Sequence, residues 1–412
     1  MSVRVGIEWL NAYCGQTALN IRTLFEGRQL DLERFDNLMM ENKSVGVACE
    51  DPITNAVNAA KPIIDQLSEA EKGRIEMVIT ASESGIDFGK SLSTYIHKHL
   101  NLQTKCRLFE IKQACYGGTA ALQMAANFVV SQASPGAKVL VIATDIARAA
   151  ARNTYAEPSQ GVAAVAMLVG EDPQVLELDF GANGYHGYEV MDTCRPEPEL
   201  ETGDADLSLL SYLDCLEASY QSYCDRVEGA DLQQSFNYLV FHAPFGGMVK
   251  GAHRKLMRSV CKAPPKVCEP DFERRVLPSL RYCSQVGNVY SASVYLSLCG
   301  LLDSIQFQAA QRVGVYSYGS GCSSEFYSGI VGPSSNQRMA KMDIASGVAN
   351  RYSLDMETYD KLLDISMGWM FGMKNKVVDI SEFQEIYDRQ FKGKGLLVLR
   401  EVKDYYREYE WS

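Results

Sequence analysis

An α/β protein with its sheets buried is what this sequence predicts, and three observations carry the prediction. Short apolar, β-branched runs alternate with helix-like segments along the chain. Most of those runs are apolar throughout rather than at every second residue, as in strands covered on both faces. Finally, Tyr116–Ala133 (YGGTAALQMAANFVVSQA) is helix-like with small and apolar residues on nearly every face, which predicts a helix inside the protein.

The predicted strands are Ile75–Thr80, Lys138–Thr144, Gly161–Val169, Tyr238–Phe241 and Val313–Tyr318. No low-complexity tract or short repeat interrupts them. The sharpest change in composition falls at Arg195–Asp206 (RPEPELETGDAD), a polar, acidic stretch that reads as a surface loop between two halves.

Bulk composition narrows the function. At 412 residues, with 46 % apolar and 22 % charged residues, the chain can build a large enzyme core. No run approaches the roughly 20 apolar residues of a membrane span, and the N-terminus reads as lacking a secretory leader. A net charge of -11 argues against nucleic-acid binding. No Walker or dinucleotide-binding glycine pattern occurs. The 12 cysteines are scattered without a C-x-x-C pair, the pattern of reduced cytosolic thiols rather than of disulfides or a metal site.

Several residues stand where chemistry is done. Cys115, in FEIKQACYGGTAAL, follows the strand-like Arg107–Lys112 and precedes the apolar helix. A helix N-terminus stabilises a thiolate, and its free N–H groups can meet a developing oxyanion. Most buried cysteines are merely structural; the position favours function here. Glu83, in VITASESGIDFGKS, follows a strand end, where active groups of α/β sheets gather. There it serves either as a general acid–base group or as a solvated cap. His242, in FHAPFGG, also ends an apolar strand, and functional and structural readings are balanced for it. Asn288 offers an amide donor and the Gly319-Ser320-Gly321 turn offers backbone donors, although such loops are usually ordinary turns. Lys250, Arg254 and Arg258 recur every four residues, so a helix would present them on one face. Such a face is normally just solvated; on an acidic protein it is also a place to receive phosphate or an acidic partner.

Taken in order, SES at Glu83, ACYGGTAA at Cys115, EPSQG at Glu157–Gly161, FHAPF at His242, GNVYSAS at Asn288 and YSYGSG at Tyr316–Gly321 resemble the 3-hydroxy-3-methylglutaryl synthase family of the thiolase superfamily over nearly the whole chain. The resemblance implies a thiolase fold, layered αβαβα with buried mixed sheets. Its two pseudo-repeated halves would be residues 1–175, carrying Glu83 and Cys115, and residues 176–412, carrying His242, Asn288 and Ser320. It implies Cys115 as the acetylated nucleophile and Glu83 as the base that deprotonates the acetyl methyl and then protonates the new alkoxide. His242 would orient the acceptor, and the Cys115 and Ser320 N–H groups would form an oxyanion hole. Tyr116, Ser159, Asn288, Ser320 and Lys250 would line the substrate site, with Asp145 behind it. No metal or resident cofactor is implied; substrates ride on phosphopantetheine.

The runs ESGIDFGKSLSTYIH, GANGYHGYEVMDTCRP and YGSGCSSEFYSGI are most similar to the β-branching synthases of polyketide pathways. Those imply donor and acceptor acyl carrier proteins as partners, with Arg254 and Arg258 as carrier contacts, and a cytoplasmic homodimer. The connector 148–154 (RAAARNT) is short beside some relatives, and Val162 replaces a usually small residue. Two other readings stay open: a mevalonate-pathway enzyme using free CoA thioesters, and a decarboxylating ketoacyl synthase, which needs no glutamate base. A noncatalytic scaffold is the reading from another class.

Overall fold

The computed structural model of the chain describes residues 3–147, 149–197, 200–368 and 371–412. Its framework is one nine-stranded mixed sheet. In chain order the strands are β1 (Gly6–Tyr13), β2 (Ile75–Ala81), β3 (Arg107–Ile111), β4 (Lys138–Ile146), β5 (Val162–Gly170), β6 (Leu176–Gly187), β7 (Tyr238–Phe241), β8 (Gln311–Gly319) and β9 (Ser323–Val331). Their spatial order is β7-β8-β9-β6-β1-β5-β4-β2-β3.

That order contains a repeat. β2 runs parallel to β4, β4 antiparallel to β5, and β5 antiparallel to β1. Likewise β7 runs parallel to β8, β8 antiparallel to β9, and β9 antiparallel to β6. The two blocks meet in a short seam, where Gly6 and Ile7 of β1 face Glu177 and Leu176 of β6.

Six helices matter for the layers: α1 (Pro52–Asp65), α2 (Gly117–Val130), α3 (Ala205–Arg226), α4 (Gly246–Val260), α5 (Pro265–Arg275) and α6 (Ser293–Ser304). Alternate residues of β4 face different helices. Leu140 and Ile142 pack with Ile53, Val57 and Ala60 of α1. Val139, Val141 and Ala143 share a cluster with Leu122 and Ala125 of α2 and Leu296 of α6. Burial on both faces is the reason such a strand is apolar at every position. α2 and α6 touch through the hydroxyls of Thr119 and Tyr295, 2.9 Å apart, and α3 covers β6 and β9. The result is the αβαβα layering of a thiolase-type fold.

Two expectations need correction. The segment Arg195–Asp206 is not simply a surface loop: Thr193–Glu197 and Leu200–Gly203 form a small hairpin, and Asp204 caps α3 by accepting from the N–H groups of Asp206 and Leu207. Nor is α2 enclosed on every side. Its polar Gln123 and Asn127 flank a face on which Met124 remains 50 % exposed. Of the short connector, Arg148 lies outside the described residues; Ala149–Ala151 form one 3-10 turn, and Arg152 donates to Asp364 Oδ1 at 2.7 Å. Among the described residues no helix is long and apolar enough to cross a membrane.

The last stretch of the chain returns to the first half. The hairpin Leu397–Lys403/Tyr406–Trp411 docks on α1. There Asn58 donates to the Leu397 carbonyl at 3.1 Å and accepts from its N–H at 2.8 Å. Asp51 is the main clasp. Its Oδ1 caps α1 by accepting from Ile53 and Thr54 N–H at 2.9 and 2.8 Å. Its Oδ2 accepts from Arg407 Nη1 at 3.0 Å and the Tyr409 hydroxyl at 2.7 Å. Both charges of this pair are nearly sealed from water, at 3 % and 4 % exposure. Asp51→Ala is therefore expected to lower the unfolding free energy by about 3–5 kcal/mol, the range for breaking a buried ion pair from one side. Breaking the exposed Lys61–Asp65 pair on the same helix should cost no more than about 0.5 kcal/mol. Chemical denaturation of the two variants measures the contrast.

Candidate active site

Glu83 and Cys115 come from neighbouring parallel strands. β2 ends two residues before Glu83 and β3 ends four residues before Cys115. The backbone then turns sharply: Tyr116 N–H returns to the Gln113 carbonyl and Gly117 N–H to that of Ala114. Ala114 adopts a left-handed φ of 42° to make this turn, a conformation that costs a non-glycine residue about 1–3 kcal/mol. Cys115 Sγ lies 3.4 Å from Glu83 Oε1.

Asp145, near the end of β4, fixes the Glu83 loop. Its Oδ1 accepts from Glu83 N–H at 2.9 Å, Ser84 Oγ at 2.9 Å and Ser82 Oγ at 3.2 Å. Its Oδ2 accepts from Ser291 N–H at 3.0 Å and from the Ser291 hydroxyl. One buried carboxylate thus ties the Glu83 loop to the Asn288 loop.

Asn288 is itself oriented. Its Oδ1 accepts from Tyr290 N–H at 2.9 Å and Ser293 Oγ at 2.8 Å, so its NH2 group faces away as a donor. Its backbone N–H donates to the Ser159 carbonyl at 2.6 Å, and Gly161 N–H returns to the Asn288 carbonyl at 2.8 Å. Ser159 therefore joins Asn288 through the main chain, while its hydroxyl donates to Ala156 O at 3.1 Å.

The far block contributes His242 and Ser320. His242 follows β7 directly, and its backbone N–H donates to Tyr316 O on β8 at 2.8 Å. The Tyr212 hydroxyl holds the His242 carbonyl at 2.7 Å, whereas Nδ1 is buried with no partner. β8 ends at Gly319, where a Cβ would lie 2.5 Å from Tyr116 N and 2.6 Å from Gln113 O. Glycine thus lets the two blocks meet backbone to backbone beside Cys115. Beyond it, the Ser320 carbonyl accepts from Gln113 Nε2 at 3.4 Å and Gly321 N–H donates to Asp192 Oδ1 at 2.9 Å.

Burial dominates the electrostatics. It raises the Glu83 pKa to about 7, a shift that Arg195 opposes and Asp145 reinforces. It also raises the Cys115 thiol well above its ordinary value, with Glu83 and Asp145 adding to the effect. The stabilised thiolate expected at a helix N-terminus is therefore not what forms: two carboxylates and the loss of water outweigh the helix. Burial lowers His242 to about 3, leaving a neutral imidazole at physiological pH.

Two expected pocket residues are engaged elsewhere. The Tyr116 hydroxyl donates to Glu325 Oε2 at 2.7 Å, within a cluster that includes Gln123 and Asn183. Lys250, on α4, forms an ion pair with Glu269 on α5 and sits 5.7 Å from the Phe272 ring centroid. Its ammonium is drawn sideways by the nearest carboxylate, which the sequence spacing did not reveal. Arg254 and Arg258 are exposed on the same helix.

One neighbour went unread in the sequence. Arg195, on the hairpin, is only 10 % exposed and places Nε 3.7 Å from Glu83 Oε2. Its signal was a lone cation opening an acidic stretch, which resembles a solvated loop.

Residues 27–174 match the family model for the hydroxymethylglutaryl-coenzyme A synthase N terminal region, and residues 256–409 match that for the C terminal region. The chain is 52 % identical to the polyketide biosynthesis 3-hydroxy-3-methylglutaryl-ACP synthase PksG of Bacillus subtilis (strain 168), over 99 % of both chains. It is 31 % identical to the hydroxymethylglutaryl-CoA synthase of Enterococcus faecalis, over 87 % of this chain and 91 % of that one. The crystal structure of the curacin biosynthetic pathway HMG synthase superposes with a TM-score of 0.96 at 56 % identity, covering 99 % of this chain and 100 % of that one. This chain belongs to the hydroxymethylglutaryl-CoA synthase family, a family of acyl-condensing enzymes that form carbon–carbon bonds.

Proposed function

We propose that this enzyme carries out the condensation of polyketide β-branching, joining an acetyl group from a donor acyl carrier protein to the β-ketone of an intermediate on an acceptor carrier. The chemistry rests on one observation, the part-buried contact of Cys115 Sγ with Glu83 Oε1 at 3.4 Å. The choice of carrier-bound substrates is supported by the 52 % identity to PksG against 31 % to a CoA-dependent relative. Solved complexes of the curacin synthase with apo, holo and acetyl donor-ACP point the same way. The reading includes a cytoplasmic homodimer. Residues 1–175 supply Glu83 and Cys115, and residues 176–412 supply His242, Asn288 and Ser320.

In the first step the Cys115 sulfur attacks the acetyl thioester. Its pKa is too high for a standing thiolate, so the proton leaves as the S–C bond forms, to Glu83 and from there to the departing pantetheine sulfur. The N–H groups of Cys115 and Ser320 hold the oxyanion. Glu83 then takes a proton from the acetyl methyl, and the enolate carbon attacks the acceptor ketone. The protonated Glu83 returns its proton to the resulting alkoxide. Neutral His242 hydrogen-bonds the acceptor carbonyl, and the Asn288 NH2 group is oriented to assist. Water finally cleaves the enzyme thioester, leaving a free carboxylate on the product and a thiol on Cys115.

Glu83 must be ionised to remove the methyl proton. Its carboxylate fraction rises with pH through about 7, so enolisation should be lost on the acid side of that value. Deuterium entry into the acetyl methyl of preformed acetyl-Cys115, followed by mass spectrometry, should fall about tenfold per pH unit below it. Glu83→Gln should reduce exchange by roughly 10²–10⁴-fold. Full condensation by Glu83→Gln would mean that the carbanion arises another way.

Gly319→Ala should slow Cys115 acetylation by about 100-fold, the effect of a displacement of about 1 Å at the nucleophile, while far-ultraviolet circular dichroism stays unchanged. Partner choice is tested by offering the acetylated enzyme β-ketoacyl groups on carrier protein and on CoA. Condensation confined to the free CoA thioester would replace this reading with a mevalonate-type activity.

A further inference from the structure

Tyr290 lies in the loop that carries Asn288, and the proposed condensation leaves its side chain unused. The residue is 4 % exposed, and its hydroxyl is buried with no hydrogen-bond partner among the described residues. Its backbone is left-handed, with a φ of 51°. Each feature costs stability, because a buried hydroxyl is normally bonded and a residue other than glycine disfavours that conformation. Among the described residues Tyr290 alone combines the two. The loop is nevertheless held firmly. Tyr290 N–H donates to Asn288 Oδ1 at 2.9 Å, and the N–H of the next residue, Ser291, donates to Asp145 Oδ2 at 3.0 Å. The Tyr290 ring centroid lies 4.6 Å from the Arg195 guanidinium carbon, and Arg195 Nε stands 3.7 Å from Glu83 Oε2. An unbonded polar atom on a strained, anchored loop beside the reacting groups is the pattern of a group kept for a ligand.

We propose that Tyr290 is a further catalytic residue: its hydroxyl donates a hydrogen bond to the acceptor's ketone oxygen as that oxygen becomes the alkoxide. The inference rests on the proposed condensation, with Glu83 as the group that protonates the alkoxide. Placement assigns the oxygen. In that condensation the acyl oxygen on Cys115 has the Cys115 and Ser320 N–H groups, whereas the ketone oxygen has neutral His242 and the Asn288 amide. The alkoxide must form within reach of Glu83, and Tyr290 packs on the guanidinium that reaches Glu83. Its own N–H orients Asn288, so both donors come from one loop. The phenol is a donor throughout: burial holds its pKa well above the ordinary value, with Arg195 opposing and Glu201, Glu83 and Cys115 adding to the effect. Tyr290 keeps this proton, and the one that ends on the product comes from Glu83. A ketone oxygen is a modest acceptor and an alkoxide a strong one. The bond therefore tightens as charge develops, and acts on the rate more than on binding.

Tyr290→Phe removes the hydroxyl and keeps the ring with its contact to Arg195. Three steps are read separately on the full-length enzyme: acetylation of Cys115 from acetyl donor carrier, deuterium entry into the acetyl methyl, and single-turnover condensation with a β-ketoacyl acceptor carrier. Acetylation and deuterium entry should be unchanged. Condensation should slow about 100-fold, the effect of losing one preorganised donor to an oxyanion, with little change in the acceptor KM.

Condensation at the wild-type rate would overturn the inference, as would an equal loss in all three steps, which marks a structural role. Should Tyr290→Phe fail to fold, replacement of Tyr290 by ring-fluorinated tyrosines decides. These keep the hydroxyl and make it more acidic, so condensation should respond while deuterium entry does not; a condensation rate indifferent to the phenol's acidity overturns the proposal. The wild-type enzyme separates this inference from the reading beneath it. Acetyl-Cys115 that condenses with no β-ketoacyl group, on carrier or on CoA, removes the condensation itself. Wild-type condensation that Tyr290→Phe matches removes only the role of Tyr290.

Discussion

Removal of water from a group of charges around one thiol is the constraint on which this molecule turns. Glu83, Asp145 and Arg195 lie together beside Cys115, and each resists burial unless a partner meets it. Asp145 is met by three serine hydroxyls and two backbone N–H groups. Arg195 is met by Glu201 and Glu83. Burial of Glu83 raises its affinity for a proton into the neutral range. A carboxylate of ordinary strength is a weak base toward a thioester methyl; a buried one is stronger.

The same desolvation decides the state of the nucleophile. A helix N-terminus alone lowers a thiol pKa, but α2 begins only at Gly117, and burial together with the charges of Glu83 and Asp145 raises the Cys115 thiol. The thiol keeps its proton at rest, with the Glu83 carboxyl in contact. His242 follows the same logic. Enclosed behind β7 without a charged partner, it stays neutral, suited to a hydrogen bond rather than to carrying charge.

Architecture brings these groups together from afar. The strand pattern occurs twice, and the strand ends of each block supply part of the site. Gly319 of one block rests on the backbone beside Cys115 of the other, an approach that no side chain permits. Arg195 then reaches Glu83, and Asp145 ties the Glu83 loop to the loop at Asn288. Meanwhile the C-terminal hairpin clasps α1 through Asp51, so the chain's end stabilises its beginning.

Much of this was legible beforehand because local pattern reports local environment. Uninterrupted apolar runs marked the strands buried on both faces: Tyr238–Phe241 appears with the predicted bounds, and the run predicted at Lys138–Thr144 extends to Ile146. Glycines after Cys115 and carboxyl, thiol and imidazole groups at strand ends marked the residues proposed to carry chemistry. Tertiary structure alone decided what those residues meet. Spacing could not show that Lys250 is captured by Glu269, that Tyr116 turns to Glu325, or that Arg195 folds inward from an acidic stretch to reach Glu83. Nor could it give the protonation state of Cys115, since a pKa depends on burial and on charges contributed by residues distant in the chain. Sequence determines which functional groups exist and which strands they end; only packing determines their distances, their access to water and so their electrostatics.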